Sequence, residues 1–231
     1  MNWMLVLVIA TLFFYSLRGR RKGFIKTVFT VFSTIIAILL TMWIIPYVSK
    51  VVQSNDEIVN YVSKNITSKL INDDIDSKRS DEIKYIEKLP LPSIIKNRLI
   101  ENNTNDVYDA LSTNNFQGYI NRMITLLILN FFIFLILCLI IKIALYIIGN
   151  ILNLVSYLPI INGLNRIAGM LVGFLHGIII VWIGFIVITV FSSSTIGSNL
   201  FRQINESRIL SFIYNNNLIL NFLTDMGRIL F

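Results

Sequence analysis

Four long apolar runs, set apart by one charged insert, constrain this chain more than any motif in it. The runs are Met1–Leu17, Phe24–Val48, about Tyr119–Lys142 and Ile167–Phe191. A helix that crosses a bilayer needs roughly 20 apolar residues at about 1.5 Å of rise each. Three runs supply that length. The first is shorter, with Trp3 and Tyr15 placed for its two interfaces. Of the 33 charged residues, 21 lie between Lys50 and Arg122. With 55% apolar and 14% charged residues, against roughly 25% charged in an average soluble domain, the chain lacks the alternating polar faces of a soluble core. The pattern predicts an all-α integral membrane protein with four transmembrane helices in two hairpins. Residues 1–48 form the first hairpin, 49–118 a small helical extracytoplasmic insert, 119–191 the second hairpin, and 192–231 an amphipathic extracytoplasmic tail.

Positive charge sets the orientation. Arg18, Arg20, Arg21 and Lys22 follow the first run, whereas a cleaved signal peptide carries its cations before the apolar stretch. The expectation is a retained span whose 18–26 turn lies in the cytoplasm against anionic headgroups. Alternation then places both termini outside. The same cluster supplies most of the net charge of +7, so the excess reads as a topology signal and not as a nucleic-acid footprint. Cys138 is the only cysteine and can form no internal disulfide.

In the insert, Pro90 and Pro92 act as punctuation, and "LPSIIKNRLIE" and "TNDVYDAL" read as short helices with Ser93 and Thr104 as N-caps. Asp73, Asp74 and Asp76 read as solvated helix surface, because a calcium loop would need a nearby glycine turn. The connection after the third run is too apolar for a solvated loop. It reads as a prolongation of the third helix along the interface, ending near Pro159 and Gly163. The tail shows two apolar series, predicting two amphipathic helices on the outer leaflet or folded onto the insert.

The fourth run places Gly169, Gly173 and Gly177 four residues apart. Each step turns about 400°, so the three make one gently drifting flat stripe. Among lipid tails, close backbone approach drives helix packing more than leucine burial does, which predicts a packing face. Gly19 and Gly23, followed by Thr27, Thr30 and Thr34, set a similar small-residue series at the second run. His176, the only histidine, lies about 15 Å beyond Arg166 along the helix, at mid-membrane depth. An ionisable group there is a functional candidate. It reads either as a proton relay or as a neutral imidazole bonded to a neighbouring helix, for instance to Asn130. The second reading is favoured, since no Asp or Glu lies within a span. Lys142 is placed to snorkel to the inner surface.

The stretch "LPIINGLNRIAGMLVGFLHGIIIV" resembles the signature of the colicin V production protein (CvpA) family, with its proline–glycine elbow, its Asn-Arg pair and its glycine ladder. "LRGRRKGFIKTVFTVFSTIIA" resembles that family's Arg-Gly turn between the first two spans. The positions that match are Gly19, Gly23, Asn165, Arg166, Gly169, Gly173 and Gly177. The resemblance implies an integral protein of the bacterial cytoplasmic membrane, needed for production or export of a peptide bacteriocin, and it brings no catalytic residues. Here a histidine stands at 176, where the family often has a basic residue.

No metal-spaced His/Cys cluster, phosphate-cradling glycine loop or nucleophile elbow occurs in the sequence. With one histidine and one cysteine, most nucleophile–base schemes lack a second member. The expected function is therefore non-enzymatic and cofactor-free. It is that of an accessory or scaffold protein for toxin-peptide production or secretion, with the lipid bilayer and either a second copy or a secretion-machinery protein as partners. A small oligomeric transporter or channel, or a general envelope-maintenance role, is the alternative.

Overall fold

The structure is a computed structural model that describes residues 2–65, 78–89, 91, 93–151, 163–192 and 194–229. Its elements are α1 (Trp3–Lys22), α2 (Phe24–Gln53), α3 (Asp56–Asn65), α4 (Arg79–Lys88), α5 (Ser93–Glu101), α6 (Asn105–Ala110), α7 (Phe116–Ile151), α8 (Leu164–Val190), α9 (Thr195–Glu206), α10 (Arg208–Asn215) and α11 (Leu218–Ile229). There is no strand among the described residues. Trp3–Lys22, Phe24–Gln53, Phe116–Ile148 and Leu164–Val190 are long and apolar enough to cross a membrane, which bears out the four-helix membrane class.

The helix limits depart from the apolar runs. α2 continues through Pro46 to Gln53, although a proline inside a helix removes one backbone bond. α7 starts at Phe116 and runs past Lys142 to Ile151, and the rest of the apolar connection, 152–162, lies outside the described residues. Pro159, Pro90, Pro92, Asp73, Asp74 and Asp76 lie outside the described residues.

The chain divides into two compact units. The first comprises Met1–Ile45 and Phe134–Phe185. It is built inside out by the standard of a soluble protein. Thr27, Thr34, Thr41 and His176 are buried, while Phe13, Phe32, Leu39, Trp43 and Leu139 are each more than half exposed. Water would reverse that arrangement. Where the solvent is hydrocarbon, outward leucine and phenylalanine cost nothing, and inward polar groups bond to one another.

The second unit comprises Pro46–Ile133 and Ile186–Phe231. α5 packs on α4 and α11, and α9 on α10, around Ile86, Leu99, Tyr119, Leu210 and Leu220, all fully buried. The tail forms three helices where two apolar series predict two. The breaks fall at polar residues that cap the helix to follow. Ser207 Oγ accepts from the Leu210 N–H at 3.4 Å, and Asn217 Oδ1 accepts from the Ile219 and Leu220 N–H groups at 3.1 Å. Such side-chain acceptors compete with helix continuation and start a new helix instead. Ser93 is the first residue of α5, and its hydroxyl donates to Asn215 Oδ1 at 3.3 Å. Thr104 stands at the head of α6 without a side-chain cap bond.

Candidate functional site

Glycines make the turn between α1 and α2. The Gly23 N–H donates to the Gly19 carbonyl at 2.9 Å, and Gly23 has φ of 79°, a left-handed conformation that costs glycine nothing. The next residue opens α2, and its N–H has no acceptor within that helix. Asn165, at the start of α8, provides one: its Oδ1 accepts from the Phe24 N–H at 2.8 Å. One helix thus caps another. Asn165→Ala should lower stability by about 1 kcal/mol, seen as an earlier thermal transition of the solubilised protein, while Asn165→Asp keeps the acceptor and should lose less. An unchanged transition in the alanine variant would show that this cap contributes nothing.

Next to the turn, α1 and α8 meet backbone to backbone. A Cβ placed on Gly19 would overlap the Gly169 carbonyl oxygen and lie 2.9 Å from Gly173 Cα. A Cβ on Gly169 would lie 2.5 Å from the Gly19 oxygen and 2.7 Å from the Gly23 carbonyl carbon, and one on Gly173 would overlap the Tyr15 oxygen. At Gly177 the approach relaxes to 3.1–3.2 Å from Leu12. Ser16 Oγ adds a hydrogen bond to the Met170 carbonyl at 3.1 Å. The structure therefore brings Gly19, Gly23, Asn165, Gly169, Gly173 and Gly177 together in one crossing within a single chain. Arg18, Arg20, Arg21 and Lys22 occupy the last turns of α1, exposed, and no ion pair involves them among the described residues. Cations there complement the carbonyl end of the helix. Arg166 is exposed as well.

A buried polar cluster lies in the same unit. Thr27 Oγ1 donates to the Gly23 carbonyl at 2.6 Å. Thr34 Oγ1 lies 2.9 Å from the Thr30 carbonyl and 3.2 Å from His176 Nε2, and the Tyr15 ring meets the imidazole edge-on at 4.9 Å between centroids. Lys142 Nζ donates to Thr34 Oγ1, and at 3.4 Å to both Ser33 Oγ and the Thr30 carbonyl. All three ammonium hydrogens have an oxygen acceptor. Lys142 thus ties α7 to α2 where snorkelling was expected, because the threonine and serine oxygens of α2 stand within reach of its stem.

His176 and Asn130 are not brought together. His176 bonds to Thr34, whereas Asn130, in the second unit, accepts from Ser49 Oγ and, at 3.5 Å, from Gln53 Nε2. Each finds the hydroxyl nearest its own helix face. Thr34, Ser33, Lys142, Tyr15 and Ser16 escaped the sequence reading as partners. The available signal was Lys142, the one charge between Arg122 and Arg166 and thus an isolated cation in an apolar run. Among the described residues no three His, Cys, Asp or Glu side chains gather as metal ligands do.

Residues 110–217, a little under half of the chain, match the family model described as colicin V production protein. The match takes in α7, α8 and the Asn165–Gly177 element, and leaves out the α1–α2 turn that packs on it. No curated protein and no solved structure matches the chain. Over residues 110–217, this chain is similar to the colicin V production protein family that its Asn-Arg and glycine-ladder element resembles.

Proposed function

We propose that this protein is a non-enzymatic accessory of the bacterial cytoplasmic membrane, a scaffold on which a peptide toxin is produced or secreted. The family match links it to colicin V production. One observation favours a scaffold over a catalyst: the family-like element engages backbone. Asn165 bonds to the Phe24 N–H, Ser16 to the Met170 carbonyl, and the glycines accommodate main chain. The element builds a rigid crossing. Because that crossing uses the glycine stripe within one chain, a second copy or a secretion-machinery protein would dock elsewhere. The exposed apolar faces of α2 and α7, with Phe32, Trp43 and Leu139, suit such a partner or lipid. In this reading the 18–26 turn faces the cytoplasm and both termini face outward.

The test compares peptides secreted by a deletion strain carrying the wild-type gene, Gly173→Leu or His176→Leu. The scaffold reading expects loss of one or a few small secreted peptides in the deletion strain, rescue by wild type and by His176→Leu, and no rescue by Gly173→Leu. A transporter or channel is the second reading, favoured by the Lys142–Thr34–His176 cluster. If His176→Leu or Lys142→Leu abolishes rescue while the protein accumulates normally in the membrane, the scaffold reading fails and transport takes its place.

A further inference from the structure

The second unit holds a cavity of about 420 Å³, within the size range of small-molecule sites. Its wall is formed by α3, by the end of α2, by the first turns of α7 and by the α6–α7 turn. Five polar side chains there matter for recognition: Ser63, Ser112, Thr113, Asn121 and Arg122. Among the described residues Arg122 is the only charged one in the lining, and no carboxylate stands there. Its guanidinium makes no ion pair or hydrogen bond among the described residues. Asn121 Oδ1 is already engaged, accepting from Ser63 Oγ at 3.0 Å and from Thr125 Oγ1 at 3.5 Å, which leaves the amide hydrogens as the free half of that side chain. Ser112 has φ of 54°, a conformation that costs a residue with a Cβ and that is common where function or a helix end demands it. It follows the end of α6, donating its N–H to the Asp109 carbonyl at 3.0 Å, and the turn sets its exposed side chain at the cavity rim.

A guanidinium without an ion pair among the described residues, with amide and hydroxyl donors lining the same cavity, is the donor set that recognises an oxyanion. A phosphate group accepts several hydrogen bonds, and the planar fork of arginine matches its edge bidentately. Arg122 lies in the first turns of a helix long and apolar enough to span a bilayer, and basic residues that flank such a run meet lipid headgroups. We propose that this cavity binds a phosphate ester, held by Arg122 with Asn121 and Ser112, supplied either as a phospholipid headgroup or as a free small molecule. The site is separate from the glycine crossing and does not depend on the scaffold reading.

Titration of the full chain in a neutral detergent tests it, with glycerol 3-phosphate, short-chain phosphatidylglycerol and glycerate as probes. Saturable binding of glycerol 3-phosphate identifies a free phosphate ester as the source. Binding of the lipid alone identifies the headgroup. In either case Arg122→Gln should weaken binding at least about tenfold. Ser112→Gly relieves the left-handed backbone and should unfold no earlier than wild type, while binding weakens about threefold or more. It stands in if the arginine variant misfolds. The proposal is overturned if neither phosphate probe binds, if glycerate binds as tightly as glycerol 3-phosphate, or if both variants bind as wild type does.

Discussion

Leucine at Gly169 or Gly173 is expected to leave little folded protein, whereas alanine at Gly184 on the same helix is expected to stabilise it. At Gly169 an added Cβ would press on the Gly19 oxygen, the Gly23 carbonyl carbon and the Phe24 nitrogen, and at Gly173 on the Tyr15 oxygen and Gly19 Cα. These are main-chain atoms of α1 and of its turn into α2, and no rotamer change moves them aside. Even alanine must push the helices apart. Overpacking of this kind costs roughly 1–3 kcal/mol and sometimes more, and separation would also stretch the Asn165 cap on Phe24. Leucine adds three further carbons to the same gap. Gly184 has nothing within 4 Å of an added Cβ, so alanine there should return the helix propensity that glycine forfeits, roughly 1 kcal/mol. Gly177, whose nearest neighbour is the flexible Leu12 side chain, should fall between. Thermal unfolding and size-exclusion profiles of the detergent-solubilised variants give the order. A Gly173→Leu protein that is monodisperse and melts with wild type would show that α1 and α8 do not meet in this way.

The second large effect is expected at Tyr119, in the other unit. Its ring is fully buried and stacks on Tyr108 with centroids 5.2 Å apart. Its hydroxyl donates to the Leu99 carbonyl, the C-terminal half of α5, at 2.7 Å. Tyr108 in turn donates to Asn103 Oδ1 at 2.5 Å, and Asn103 Nδ2 to Glu82 at 2.8 Å. Burial, with the Glu82 charge adding to it, holds the Tyr108 phenol above its ordinary value, so it stays a donor. This relay ties α4, α5 and α6 to the start of α7. Tyr119→Ala removes a buried aromatic ring and should cost roughly 3–5 kcal/mol. Tyr119→Phe keeps the ring but leaves the Leu99 carbonyl without that donor, at roughly 1–3 kcal/mol. Limited proteolysis offers a local readout: cuts between α4 and α6 should appear in the alanine variant first. Equal protease resistance of Tyr119→Ala and wild type would mean that these helices are held by other contacts.

The separation of these two effects shows how unevenly the sequence could be read. Gly169, Gly173 and Gly177 announce a flat stripe by spacing alone, since helical geometry is local. Nothing local says what fills it. That Gly19 lies against it, with the Tyr15 and Gly23 main chain on either side, follows from contacts between residues some 150 positions apart. His176 illustrates the same point. Depth and isolation mark it as a buried polar group that needs a partner, but Asn130 and Thr34 are equally good partners on paper, and only the packing selects Thr34. In the insert the signal is weaker still. Short amphipathic helices in charged sequence have several faces of similar merit, so the Tyr119–Leu99 bond and the cavity beside Arg122 had no forerunner in the periodicity.

By itself, the sequence determined the helical class and the four apolar segments long enough to cross a bilayer. Apolar length and charge segregation are one-dimensional properties, and the cost of exposing backbone to hydrocarbon admits few structures. It also determined the glycine register and the family-like element. The tertiary structure decided that α1 and its turn occupy the stripe, that α8 caps α2, that Lys142 is satisfied by α2, and that the tail breaks into three helices. Those outcomes depend on which surfaces meet across long sequence separations, where shape and hydrogen-bond satisfaction choose among partners that composition leaves equivalent.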